Sequence, residues 1–157
     1  TAHRVVMPGE VPRRRVVRRL DAHPFPELYA PGERAAAVKR LQQWFTHEAK
    51  SDLERRVAWH ADRLSVQPGR LTIRDQTSRW GSCSTTGALS FSWRLVLAPP
   101  AVLDYVAAHE VAHLREMNHG PRFWVLVRKS CPGMDEAKRW LRIYGMDLHR
   151  YGVEYGD

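Results

Sequence analysis

The sequence is short of cysteine, of lysine and of long apolar runs. Its 157 residues include two cysteines, Cys83 and Cys131, too few for a disulfide framework. Neither stands in a C-x-x-C pair, so no zinc knuckle is expected, and a reducing, cytoplasmic setting is the simplest one. No stretch approaches the roughly eighteen uninterrupted apolar residues of a membrane span, and no apolar signal core is present. A membrane partner is therefore not expected. A Gly-rich phosphate loop of the Walker type is missing. So are internal repeats, low-complexity segments, a helix-turn-helix and an aromatic-rich basic groove.

What is present is a basic chain of ordinary hydrophobic content. The net charge is +8, and 21 of the 25 basic residues are arginine. Arginine grips carboxylates and phosphates bidentately, so nucleic acid is a conceivable partner. An Arg-rich soluble protein has the same balance, and for charge alone that reading is preferred. The length fits one domain with a real core.

Residues 1–32 read as an extended basic arm. Pro8, Pro12, Pro24, Pro26 and Pro31 exclude helix through most of it. Arg13 to Leu20 fits an edge strand, where charge discourages aggregation. A basic strip for nucleic acid is the alternative, disfavoured because no aromatic interleaves the arginines. Residues 33–157 are expected to form a single domain. Within them, 33–65 predict a long amphipathic helix, with Val38, Leu41, Phe45, Leu53, Val57, Ala61 and Leu64 at mostly helical intervals. His47 and His60 on it are expected to face solvent. Leu71 to Asp75 alternate like a half-buried strand. Thr77–Ser84 and Ala88–Phe91 read as two strands around a Gly-containing turn, and Trp93–Leu97 as extended chain leading to Pro99 and Pro100.

The chemistry concentrates between Pro99 and Trp124. His109-Glu110-Val111-Ala112-His113 puts two imidazoles four residues apart, on one helical face. Glu110 is rotated by about 100° from His109, so it can stand beside a metal without ligating it. In the H-E-x-x-H pattern two His hold zinc and the Glu is a general base. His119 follows His113 by six residues, too far to continue that face. The helix is expected to end near Asn118. A turn at Gly120-Pro121 could then bring His119 back as third ligand, leaving one tetrahedral position open. That spacing equals the one between the second and third His of metzincins, but Glu116 stands where their glycine would be. Around Glu110 lie Val106, Ala107, Ala108, Val111, Ala112 and Leu114. A helix so apolar is buried, and buried Glu and His need partners; one zinc ion per chain would serve all four polar residues. Helices are predicted over Pro121–Lys129 and over residues 135–144. The tail from His149 to Gly152 either folds over a cleft or is exposed.

Arg79-Trp80-Gly81-Ser82-Cys83-Ser84, with His109, Glu110, His113, His119 and Phe123-Trp124, resembles the YgjP-like metallopeptidase domain. That group is itself similar to the SprT-like and WLM-domain zinc peptidases. The resemblance covers roughly residues 33–152. It implies zinc ligands at His109, His113 and His119 and a general base at Glu110. It also implies an α+β, zincin-like domain: a long N-terminal helix, a small mainly antiparallel sheet, an active-site helix and two C-terminal helices. In such zincins an edge strand borders the cleft and can pair with an extended peptide. Met134 is a weak candidate for a Met-turn.

The expected activity is zinc-dependent hydrolysis of peptide bonds in a peptide or protein substrate. Glu110 would take the attacking water's proton and pass it to the leaving amine. The developing oxyanion needs a further donor, for which Arg79, Tyr105 and Tyr151 are candidates. Core packing is the simpler role for Tyr105. Two alternatives stand beside this. One is hydrolysis of a phosphoanhydride in a nucleoside triphosphate, with Arg79, Arg94 and Arg122 on phosphate. The other is a nucleic-acid-associated protease of the SprT or WLM kind.

Overall fold

The computed structural model describes residues 4–6, 18–20, 27–30, 33–76 and 78–149. Chain contacts divide it into two units, Thr1–His47 and Glu48–Asp157. In the first unit, β1 (Arg4–Val6) pairs parallel with β3 (Glu27–Tyr29), and β2 (Arg18–Leu20) pairs antiparallel with β3. Much of the basic arm, including Arg13 to Val17, lies outside the described residues; the part read as an edge strand that is described, Arg18–Leu20, is β2 at one edge of this sheet. Leu28, Ala30, Ala37 and Leu41 form a small core there, with Trp44 and Phe45 against it.

Helix α1 (Arg34–Leu64) passes from the first unit into the second. No Gly or Pro interrupts it, as its periodicity predicts. It ends in a Schellman motif. Ser65 takes the left-handed conformation (φ 52°), Ser65 N–H donates to the Asp62 carbonyl, and Val66 N–H donates to the Ala61 carbonyl. In the second unit Leu53, Val57, His60, Ala61 and Leu64 are its buried stripe.

His60 is the first correction. It is fully buried, not solvent-facing. Its Nδ1 meets Ser130 Oγ at 2.5 Å and its Nε2 meets Asp104 Oδ1 at 2.7 Å. Arg56, one turn earlier, also pairs with Asp104. A buried imidazole needs both ring nitrogens satisfied, and only residues distant in sequence supply them here.

The second unit's sheet has the order β4-β6-β5, from β4 (Leu71–Arg74), β5 (Gly81–Cys83) and β6 (Leu89–Ser92). It is mixed rather than mainly antiparallel. β5 and β6 form the expected hairpin, with Ser82 opposite Ser90. β4 runs parallel to β6, Leu71 opposite Leu89. The hairpin turn needs Gly87, whose φ is +81°.

Trp93–Leu97 is a 3-10 helix, not extended chain. The Trp93 indole N–H donates to Asp75 Oδ1 at 3.1 Å, and the Arg94 guanidinium pairs with the same carboxylate. Consecutive side chains of a strand point to opposite faces, so two neighbours can share one acceptor only if the backbone coils. Ser92 caps that coil, accepting from Arg94 N–H.

Helix α2 (Pro100–Ala112) follows, started by Pro100 in its first turn. It packs against β5, the 3-10 helix, α3 (Pro121–Ser130) and α4 (Met134–His149). Nine of its thirteen residues are buried, so it is the centre of this unit. It stops at Ala112, six residues before the expected end at Asn118. Helix α4 runs five residues past the predicted 144. Gly145 does not end it; a Cβ there would lie 3.4 Å from the Trp80 indole, an ordinary contact. Met134 is buried at the start of α4. The element set is α+β, and no helix among the described residues is long and apolar enough to cross a membrane.

Candidate metal centre

His109 and His113 leave the last turn of α2 on one face, as their spacing requires. Their Nε2 atoms are 3.2 Å apart. His119 comes from the turn before α3, and its Nε2 lies 3.1 Å from each of the others. The three atoms form a nearly equilateral triangle. Nitrogen ligands of a tetrahedral zinc stand ~3.3 Å apart, so the spacing fits.

The turn that delivers His119 is held at several points. Beyond Ala112 the chain tightens, with Arg115 N–H on the Ala112 carbonyl at 3.0 Å. The Glu116 carbonyl turns back to His113 Nδ1 at 3.1 Å, which is why the helix cannot run on to Asn118. Arg115 reaches the Leu64 carbonyl at the end of α1, 3.2 Å away. Gly120 N–H then donates to the Asn118 carbonyl, and the Trp124 indole N–H donates to the His119 carbonyl at 3.1 Å. Phe123, fully buried, stacks on His113 with centroids 4.5 Å apart and meets His109 and His119 edge-on. It is the apolar floor under all three rings.

Facing a carbonyl, His113 Nδ1 must carry the proton, so its Nε2 presents a lone pair to the triangle. Tyr105, one turn before His109, sets its hydroxyl 3.4 Å from His109 Nδ1. Burial pushes that hydroxyl up to about 12, with the nearby Cys131, Glu110 and Asp135 adding to the shift; it stays neutral, and its oxygen is placed to accept from His109 Nδ1–H, which leaves Nε2 free to ligate. Burial, then the neighbouring His113, His119 and Lys138, lowers His109 to about 3. His113 is lowered as well, mainly by burial. Neutral rings are the ligating form.

Glu110 is 6% exposed, and among the described residues it has neither a hydrogen-bond donor nor an ion pair. Burial raises its carboxyl to about 7, and the charge of Arg79 opposes the rise. Its side chain lies against the backbone of β5. A Cβ on Gly81 would stand 2.8 Å from Glu110 Cγ and 2.8 Å from Oε1, a separation that atoms in contact do not tolerate. A buried carboxylate lacking donors, beside three converging nitrogens, matches a cation site and not a packed core.

The sequence-derived residues thus divide. His109, His113 and His119 are brought together, their ligand atoms within 4.8 Å of one another; Glu110, next to His109 in α2, has its carboxyl against Gly81 of β5. Arg79 is exposed on the loop before β5, within electrostatic reach of Glu110. Tyr105 is buried and meets His109 at the ring nitrogen turned away from the triangle. Tyr151 lies outside the described residues. Three neighbours carried no expectation: Gly81, Trp124 as a clamp on His119, and Lys138. Only Gly81 had a local signal, a glycine inside a strand, which marks close backbone approach.

Residues 4–144 match the family described as YgjP-like, metallopeptidase domain. Among solved structures, the chain is similar to the metallopeptidase zymogen of Pyrococcus abyssi abylysin. The two are 25% identical with a TM-score of 0.53, over 64% of this chain and 99% of that one. No curated protein sequence matches significantly.

Proposed function

The chain belongs to the YgjP-like family of metallopeptidase domains, and we propose that its activity is zinc-dependent hydrolysis of peptide bonds. His109, His113 and His119 hold the ion, and Glu110 is the general base. One observation carries this reading: a 3.1–3.2 Å triangle of Nε2 atoms, with the adjacent Glu110 buried and given no hydrogen-bond donor among the described residues. A zinc ion held there supplies Lewis acidity and makes a water acidic near neutral pH.

The chain's own residues do the rest. Glu110 accepts the proton of the attacking water as the water oxygen bonds to the carbonyl carbon. It returns that proton to the amine nitrogen as the C–N bond breaks. Gly81 gives the carboxylate room beside the triangle. Tyr105 and the Glu116 carbonyl orient His109 and His113 from behind, as outer partners of ligating histidines do. Phe123 keeps water from beneath the rings. β5 is an edge strand touching α2, so an extended peptide can pair with it alongside Glu110.

The test is a paired assay on zinc-loaded protein. One arm offers an unfolded protein and a peptide library; the other offers nucleoside triphosphates. Unmutated chain and Glu110→Gln run side by side. Peptide cleavage lost in the variant is the expected result. Nucleotide hydrolysis lost in the variant, with peptides untouched, would replace this reading with phosphate chemistry.

A further inference from the structure

Lys138 lies on α4 in a half-buried position. Its Nζ stands 4.0 Å from the centroid of the Trp124 ring. That ring stacks on His119 at 5.8 Å and meets His109 at 5.9 Å. Among the described residues no carboxylate comes within ion-pair distance of Lys138. Asp135, the acid that feels its charge, is engaged by Arg128 at 2.9 and 3.4 Å. An ammonium is thus held on the aromatic ring that packs against His119 and His109, with no carboxylate among the described residues paired to it.

That placement is costly once the triangle carries a cation, because like charges repel across a partly desolvated gap. The repulsion turns to attraction when negative charge develops between them. Peptide hydrolysis develops such a charge on the carbonyl oxygen. Arg79, the other candidate cation, lies exposed on the loop before β5, whereas Lys138 lies on α4 against the Trp124 ring. Tyr105 is not available for the oxygen, since its hydroxyl faces the back of His109.

We propose that Lys138 is the residue that stabilises the oxyanion of the scissile carbonyl, held ready over Trp124 beside His119. This rests on the peptidase reading above. The ammonium donates a hydrogen bond and transfers no proton. The water–carbon bond forms with its proton on Glu110, the carbonyl oxygen gains negative charge opposite Lys138, and the charge returns to the carbonyl as the C–N bond breaks. The cation–π contact is weak enough for the ammonium to leave the ring and follow the oxygen.

The experiment compares Lys138→Met and Lys138→Arg in the full, zinc-loaded chain. Lys138→Met should lower kcat by about 10²–10³-fold, with KM nearly unchanged and zinc content intact. Calorimetric titration with a phosphinic peptide, a tetrahedral anion, should show at least a tenfold loss of affinity in the Met variant. A planar N-methylamide peptide of the same sequence should bind unchanged. Lys138→Arg should recover most of both losses. Unaltered phosphinate affinity, or equal weakening of both ligands, overturns the assignment. Absence of Glu110-dependent cleavage in the unmutated chain would instead remove the peptidase reading. The phosphinate titration needs no turnover, so a failure of the Lys138 assignment is told apart from a failure of the peptidase reading on which it rests.

Discussion

Glu110→Gln should stabilise the metal-stripped protein, increasingly as pH rises from 4.5 to about 7. The carboxyl is raised from 4.5 to about 7 by burial. A raised carboxyl means that folding favours the protonated form. That stabilisation is complete below pH 4.5 and is lost as pH rises through 7. At 1.36 kcal/mol per pH unit, the ionised side chain costs about 3 kcal/mol at pH 8. Glutamine has the same shape and no charge to desolvate. For a chain of this length, 1 kcal/mol shifts melting by about 2–4 °C, so the variant should melt about 6–12 °C higher at pH 8. At pH 4.5 the two proteins should melt together. The imidazoles are common to both, so their titration largely cancels in the difference. Thermal unfolding followed by circular dichroism in a chelator, at pH 4.5, 6, 7 and 8, measures the gap. Zinc should then narrow it, because a cation beside the carboxylate favours the ionised form. Equal melting at pH 8, or a gap that persists at pH 4.5, would refute the argument that burial sets the state of this group.

Three further outcomes are expected. His119→Ala should lose the zinc that the unmutated chain is expected to hold, about one per chain, read by elemental analysis after dialysis; full retention would mean that two histidines suffice. Gly81→Ala places a Cβ 2.8 Å from Glu110 Cγ; kcat should fall about 10²-fold with metal content unchanged, and unaltered kcat would show that the carboxylate has room to move. At Asp104, burial pushes the carboxyl up, but His60 and Arg56 outweigh it and hold it below the ordinary carboxylate value. Asp104→Asn should therefore cost about 1–3 kcal/mol at neutral pH by chemical denaturation, with the difference shrinking as pH falls below the ordinary value of 3.8; a constant difference at all pH values would exclude the charge as its source.

The metal helix was legible because its signal is local. His109 and His113 share a face by helical arithmetic alone, and the apolar surroundings of Glu110 announce burial. The long helix and the hairpin were legible for the same reason. The errors fall where a distant partner decides. Trp93 and Arg94 look extended until Asp75 claims both. His60 looks like a surface residue although it lies in the apolar stripe, because Ser130 and Asp104 are 70 and 44 residues away. The end of α2 depends on the Glu116 carbonyl meeting His113, a contact between a side chain and backbone that composition does not encode. Lys138 was invisible because its role arises from α4 lying beside α3, a matter of packing rather than spacing.

The segment from Leu114 to Gly120 is a loop that refuses a change of length. Surface connections usually tolerate insertions and deletions. This one has an appointment at every stage: Glu116 on His113, Arg115 on Leu64, and the His119 carbonyl on Trp124. One residue more or less would shift the chain by about 3.8 Å, more than a whole side of the 3.1–3.2 Å nitrogen triangle. Diversification among chains built this way must therefore go elsewhere, to the hairpin turn at Thr85-Thr86 or to the connection between α1 and β4. The spacing of five residues between His113 and His119 is a mechanical constant of this architecture.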